Sequence, residues 1–322
     1  MSEAINQLII VSRAEFLLPN LGSLIMGLAW GVNPHLGLID LIILVVLSFT
    51  IINLSSAIGA QANTISDYEL DSKDYRKKQL VHALDGFGRN RLKEVLIIEF
   101  IITLALVVVF MLVTAKPLLL FMWVVGISLG YLYSAPPLRI KSRSWLAPIT
   151  LILVLAVLPI LFAYITFTSE LNYFFLLALV GLALTVYGVI IPTEIRDYFG
   201  DKAMGIVTMT VRLGLAKASI LSIILVSLGG TLFGIAYFVT FAYGQYSILS
   251  TIVIAIVIAD LIVLKKIYKI YTLSKEYPKS SDQNIIAQEI VNLSADNPKW
   301  IMIITQTYSL LSIIFLVSKF FS

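Results

Sequence analysis

The chain has 322 residues, of which 59% are hydrophobic and only 13% charged, with a net charge of +4 and a mean hydropathy of +0.95. Such a composition is far more apolar than that of a soluble domain and excludes one; the apolar excess, in long uninterrupted runs, implies a single polytopic membrane domain over residues 1–322. Cysteine is absent, which excludes a disulfide framework, a thiolate nucleophile and a cysteine-ligated metal, and no nucleic-acid partner is expected.

In lipid the backbone is restricted to helices or a closed barrel. Barrel strands alternate apolar and polar residues, whereas Ile97–Leu112, apart from Glu99, and Ile149–Ala163 are apolar on every face, so the predicted class is all-α. The N-terminal stretch Met1–Val11 has no basic region followed by an apolar run and a small-residue cleavage site, and no cleaved signal peptide is expected. Runs of about 17–25 apolar residues predict nine transmembrane helices, the first over 15–31, with Pro19 inside it. The second, 36–60, runs into Asn63-Thr64-Ile65-Ser66-Asp67-Tyr68-Glu69-Leu70-Asp71. There Asn63, Asp67 and Asp71 are spaced i, i+4, so a helix puts them on one face.

The polar segment 61–93 follows, with the basic run Arg76, Lys77 and Lys78. Spans at 94–114, holding Glu99, and at 117–134 lead to a Pro136-Pro137 turn with Arg139 and Lys141 just beyond it. After a fifth span at 145–167, the sixth, 171–192, runs into Thr193-Glu194-Ile195-Arg196-Asp197-Tyr198-Phe199-Gly200-Asp201. This repeats the i, i+4 aspartate pair four spans after the first, so both clusters are expected at the same membrane face. Spans at 216–241, 246–264 (with Asp260) and 300–319 complete the set, and the loop 265–299 has the pattern of an amphipathic surface helix. Glu99 and Asp260, as charges inside spans, are functional candidates by default; pairing or snorkelling accounts for them as well, since Asp260 lies near Lys265.

The positive-inside rule tests this order independently. All but Lys116 and Lys319 of the 23 basic residues fall in segments on one side of the nine-span arrangement. The expectation is an integral membrane protein, in the plasma membrane if the organism is a prokaryote, with the N-terminus and the loops 61–93, 135–144, 193–215 and 265–299 in the cytoplasm. Carboxylates held close together at the end of a membrane span repel and call for a cation. Magnesium fits best: it prefers hard oxygen ligands and is usually held by one or two carboxylates plus substrate phosphates. Two such helix ends facing each other are suited to a diphosphate bridged by metal.

On these motifs the chain resembles the UbiA superfamily of intramembrane prenyltransferases, marked by N-x-x-x-D-x-x-x-D after the second span and D-x-x-x-D after the sixth. Tyr131-Leu132-Tyr133-Ser134-Ala135-Pro136-Pro137-Leu138-Arg139-Ile140-Lys141 and Thr210-Val211-Arg212-Leu213-Gly214 are also similar to the family. Family members commonly have Asp after the motif Asn, where this chain has Thr64, and an Arg-Pro pair where it reads Arg76-Lys77-Lys78-Gln79.

The resemblance implies a bundle of nine helices and Mg²⁺ held by Asn63, Asp67, Asp71, Asp197 and Asp201. It implies transfer of a prenyl group from an isoprenoid diphosphate, its tail lying against membrane lipids, to a lipophilic acceptor. That acceptor is an aromatic ring, as in quinone or tetrapyrrole pathways, or a hydroxyl, as in ether-lipid synthesis. Arg76, Lys77, Arg139, Lys141, Lys202 and Arg212 are then candidates to grip the diphosphate. Among nearby aromatic side chains, Tyr133 and above all Tyr198 are candidates to stabilise an allylic cation. The alternative is a transporter or channel with cation-binding aspartates; their place at helix ends, away from the midplane, counts against it. A CDP-alcohol phosphotransferase is disfavoured because Asp85-Gly86 is followed by Phe87-Gly88-Arg89.

Overall fold

Every regular element in the computed structural model, which describes residues 3–72, 77–243 and 247–320, is helical. Among the described residues seven helices are long and apolar enough to cross a membrane, or eight if the bent pair Glu3–Val11 and Ala14–Gly31, which turns by 60°, is one span. The eighth expected span, 246–264, is built differently from the others. Ser247–Val253 is a 3-10 turn, and the helix after it, Ile254–Glu276, mixes an apolar first half with Lys265, Lys266, Lys269 and Lys275. The expected loop 265–299 is mostly helical: that helix runs to Glu276, and Gln283–Ala295 forms a further helix.

Close contacts divide the chain into two compact units, residues 1–140 with 158–169, and residues 141–157 with 170–322. The first unit contains α1 (Glu3–Val11), α2 (Leu17–Gly31), α3 (Leu38–Asp71), α4 (Lys78–Phe87), α5 (Arg89–Thr114) and α6 (Pro117–Ser134). The chain passes to the second unit with α7 (Leu146–Ile152) and a π-helical turn at Leu153–Val157, then returns with α8 (Leu158–Phe167). The second unit continues with α9 (Tyr173–Ala203), α10 (Met209–Leu213), α11 (Leu215–Ala242), α12 (Ile254–Glu276), α13 (Gln283–Ala295) and α14 (Asn297–Phe320).

Length explains how α3 presents its motif. Its 34 residues reach about 50 Å at ~1.5 Å per residue, while ~20 residues suffice to cross the hydrocarbon, so the turns carrying Asn63, Asp67 and Asp71 project beyond it. Those turns stay helical despite their polarity because neighbours take up the polar groups. Trp123 Nε1 donates to Ser55 Oγ at 3.0 Å, Gln61 Nε2 donates to Ser12 Oγ at 2.9 Å and to Glu99 Oε2 at 2.8 Å, and Thr64 Oγ1 donates to the Val11 carbonyl at 3.3 Å. Glu99 is thereby paired inside its span. Deeper in the unit, Leu24, Ile51, Phe110, Leu119, Trp123 and Phe162 form the apolar core.

In the second unit α9 and α11 approach backbone to backbone. A Cβ on Gly181 would lie 2.5 Å from Phe233 N, and one on Gly229 would lie 2.5 Å from the Gly181 carbonyl oxygen. Small residues are what permit such contact between membrane helices, where dispersion and not the hydrophobic effect drives association. Asp260 does not rely on Lys265, the partner its sequence position suggests: it is buried, accepts from Tyr308 Oη at 3.1 Å, and lies against Gly230, where a side chain would collide with its carboxylate.

Candidate active site

Asn63, Asp67 and Asp71 line one face at the end of α3, as their spacing requires. Asp67 and Asp71 are only 5% and 4% exposed, a degree of burial unusual for carboxylates and one that demands compensation. Each has a cation. Lys77 Nζ lies 2.6 Å from Asp71 Oδ1, and Arg139 Nη2 lies 3.5 Å from Asp67 Oδ1. The remaining oxygen of Asp71, Oδ2, is buried with no hydrogen-bond partner among the described residues. Asn63 Nδ2 donates to Asp67 Oδ2 at 2.9 Å and also to Ser134 Oγ, at the end of α6. Its amide protons are thus engaged within the protein, and the group it offers a ligand is its carbonyl oxygen.

The sequence reasoning missed Ser134 as a contributor, although it lies in the quoted Tyr-Ser-Ala-Pro-Pro run; nothing in its spacing from Asn63 announces that the end of α6 meets the end of α3. Arg139 has φ +41°, a left-handed conformation rare for a residue with a Cβ. Its amide donates to the Ala135 carbonyl at 3.0 Å, closing the turn that brings the guanidinium to Asp67. Lys141 follows in the short 3-10 turn Ile140–Ser142. Tyr133 is half-buried on the last turn of α6. Arg76 lies outside the described residues.

Thr64, where the family commonly has Asp, is buried and directs its hydroxyl to the Val11 and Ala60 carbonyls. Both of these bonds need a donor, which an ionised Asp lacks, so the departure belongs to packing against α1 and leaves the Asp67–Asp71 face intact.

In the second unit, Asp197 and Asp201 occupy the last turns of α9, beyond Pro192. Asp197 is gripped by the neighbouring Arg196, whose Nε and Nη2 donate to its two oxygens at 3.0 and 3.2 Å. Glu194 in the same motif accepts from Thr210 Oγ1 at 2.8 Å, so it is committed to holding the α9–α10 connection. The Lys202 Nζ lies 5.6 Å from the centre of the Tyr198 ring, and that ring is buried edge-on to Phe199, 5.2 Å between centres. Arg212 donates to Ser144 Oγ at 3.0 Å and lies over Trp145. Among the described residues no three acidic or imidazole groups converge as a ready-made metal cage.

The UbiA prenyltransferase family model matches residues 17–279. No curated relative matches the chain in sequence. Among solved structures, one described in work on a digeranylgeranylglyceryl phosphate synthase in membranes is 17% identical with a TM-score of 0.66, covering 97% of this chain and all of its own. A UbiA homologue from Archaeoglobus fulgidus bound to GPP and Mg²⁺ is 20% identical, with a TM-score of 0.63 and coverage of 92% and 99%. An apo UbiA homologue from Aeropyrum pernix K1 is 13% identical, with a TM-score of 0.59 and coverage of 98% and 99%. At these identities the structural likeness speaks for the fold, and the family match spans most of the chain. A chain whose described regular elements are all helical, with aspartates at the ends of two of its candidate membrane spans, α3 and α9, and whose residues 17–279 match the family model, thus belongs to the UbiA prenyltransferase family.

Proposed function

We propose that this protein transfers a prenyl group from an isoprenoid diphosphate to a lipophilic acceptor in the membrane, with Mg²⁺ held by Asp67 and Asp71, the Asn63 carbonyl, and the second carboxylate pair, Asp197 and Asp201. The observation that carries this reading is the buried carboxylate pair on α3, with Asp71 Oδ2 unpartnered among the described residues. A buried anionic oxygen without a donor is unfavourable unless a cation arrives. Relatives of the same fold bound to GPP or DMAPP with Mg²⁺ support the choice of ligand.

When bound, Mg²⁺ supplies positive charge to the diphosphate oxygens as the C–O bond to the prenyl carbon breaks. Lys77 and Arg139, already paired with the two carboxylates, exchange part of that pairing for diphosphate oxygens, which matches cationic donors to developing negative charge. Lys141, Lys202, Arg212 and Arg76 extend this cationic set. Tyr198 is assigned to holding Lys202, since the lysine lies over its ring. Tyr133, half-buried beside Ser134, is the aromatic candidate facing the prenyl carbon. The active-site segments face the cytoplasm, as the distribution of basic residues indicates. The acceptor is an aromatic ring or a lipid hydroxyl; a glyceryl phosphate lipid belongs in the test because one of the similar structures concerns a synthase of that kind.

The experiment is incubation of the purified protein with labelled geranylgeranyl diphosphate, Mg²⁺ and a panel of both acceptor classes. Asp67→Asn or Asp197→Asn is expected to lower turnover about 10²–10³-fold, the usual loss of a charge-stabilising group at a reacting centre, with helical content unchanged. Near-normal turnover in both variants, or full activity in EDTA, rejects the reading.

A further inference from the structure

Pro192 lies inside α9, five residues before Asp197. Proline has no N–H, so the carbonyl four residues earlier, that of Gly188, loses its helical donor, and the ring crowds it outward. In a membrane helix such a carbonyl must find another donor. It finds Ser222 of α11, whose Oγ donates to the Gly188 carbonyl at 2.6 Å from a fully buried position. The approach depends on position 188 being glycine, because a Cβ there would lie 2.8 Å from Val226 Cγ2 and 2.9 Å from Val226 N.

The next carbonyl, that of Val189, accepts from a second outside donor. Asn297, the first residue of α14, is fully buried and its Nδ2 donates to the Val189 carbonyl at 2.7 Å and to Thr193 Oγ1 at 2.6 Å. Only the amide nitrogen can face a carbonyl oxygen, which fixes the side chain's orientation and leaves Asn297 Oδ1 buried without a partner among the described residues. Asn297 lies beyond residues 17–279, the stretch the family model matches.

We propose that Ser222 and Asn297 are positioning residues: Ser222 holds the Gly188 carbonyl that Pro192 leaves without a helical donor, Asn297 holds the adjacent Val189 carbonyl, and together they set the direction in which the last turns of α9 carry Asp197 and Asp201. The inference rests on the proposed role of those aspartates in holding Mg²⁺. The lever is long. At ~1.5 Å per residue Asp201 is about 13 Å along the helix from Pro192. A bend of about ten degrees there moves its carboxylate by roughly 2 Å, and misplacement of about 1 Å can lower rates 10²-fold.

The test is a double-substitution cycle. Pro192→Ala restores an N–H that can take the Gly188 carbonyl, so it removes the need for Ser222. Ser222→Ala alone is expected to lower kcat about tenfold, the loss of one buried hydrogen bond, and to raise the Mg²⁺ concentration for half-maximal turnover while the acceptor KM stays put. In the Pro192→Ala background the same substitution is expected to cause less than about a twofold further loss. Asn297→Asp, of the same shape but without amide donors, is expected to raise the Mg²⁺ requirement likewise. Ser219→Ala is the control, since its hydroxyl bonds the Leu215 carbonyl of its own helix. Equal losses from Ser222→Ala in both backgrounds, or a lower kcat at an unchanged Mg²⁺ requirement, overturn the proposal. Should Ser222→Ala fail to fold, the double variant is expected to fold, and its failure also overturns it. If the unsubstituted protein shows no Mg²⁺-dependent transfer, the proposed function fails, and the clamp is then judged by whether the four thermal midpoints show the same non-additivity.

Discussion

Arg139 is held in a left-handed conformation, which costs about 1–2 kcal/mol for a residue with a Cβ, and its guanidinium reaches a buried aspartate. Strain of this kind persists where the surroundings over-determine it, often at functional sites. If Arg139 and Lys141 only help to orient the chain in the membrane, Arg139→Gln and Lys141→Gln leave donor affinity alone. If they grip the diphosphate, each weakens binding of a non-hydrolysable prenyl diphosphate analogue about 10- to 150-fold, the equivalent of ~1.5–3 kcal/mol for a lost charge-assisted hydrogen bond. Titration with Mg²⁺ present decides it, and an unchanged Kd in both variants removes them from the site. The residues carrying charge were legible here because i, i+4 spacing guarantees a shared helix face. Ser134 and Asn297 were not, since a lone polar residue acquires its role only from the helix that packs against it.

At the scale of elements, glycine contacts decide how α9 is held. Gly229→Val would drive a branched side chain into Thr185 and the Gly181 carbonyl, both within 2.5 Å of where its Cβ would sit. Overpacking of this kind costs about 1–3 kcal/mol or more. A fall of several degrees in the thermal midpoint of the detergent-solubilised protein is expected, with Gly234→Val, whose nearest neighbour is 3.6 Å away, changing it less. An unchanged midpoint for Gly229→Val would mean that α9 and α11 are not in contact. Lys116, one of two basic residues outside the set expected on the cytoplasmic side, has a local reason to be where it is. Its Nζ donates to the Ile165 and Thr166 carbonyls at 2.6 and 3.1 Å, so it caps the C-terminal end of α8, the end at which a cation is favourable.

For the whole molecule, the orientation expected from where the basic residues lie is directly measurable, because native cysteine is absent. A cysteine placed at Ser281 is expected to react with an impermeant reagent only from the cytoplasm, and one at Ser169 only from outside. Labelling of both from one side would break the expected order of spans and the expected shared face of the two aspartate motifs.

The sequence by itself determined the all-helical class, the membrane as solvent, the apolar runs, and the two aspartate motifs that mark the family. These are properties of local composition and period, and lipid enforces them by leaving the backbone no alternative to internal hydrogen bonds. Tertiary structure decided what each polar group inside those runs is for. It paired Glu99 with Gln61 and Asp260 with Tyr308, turned Ser247–Val253 into a 3-10 lead-in to a helix that extends through an expected loop, and gave the carbonyl freed by Pro192 to Ser222. A buried donor or acceptor must be satisfied by whichever neighbour lies within about 3 Å, and that neighbour is chosen by the packing of helices distant in sequence.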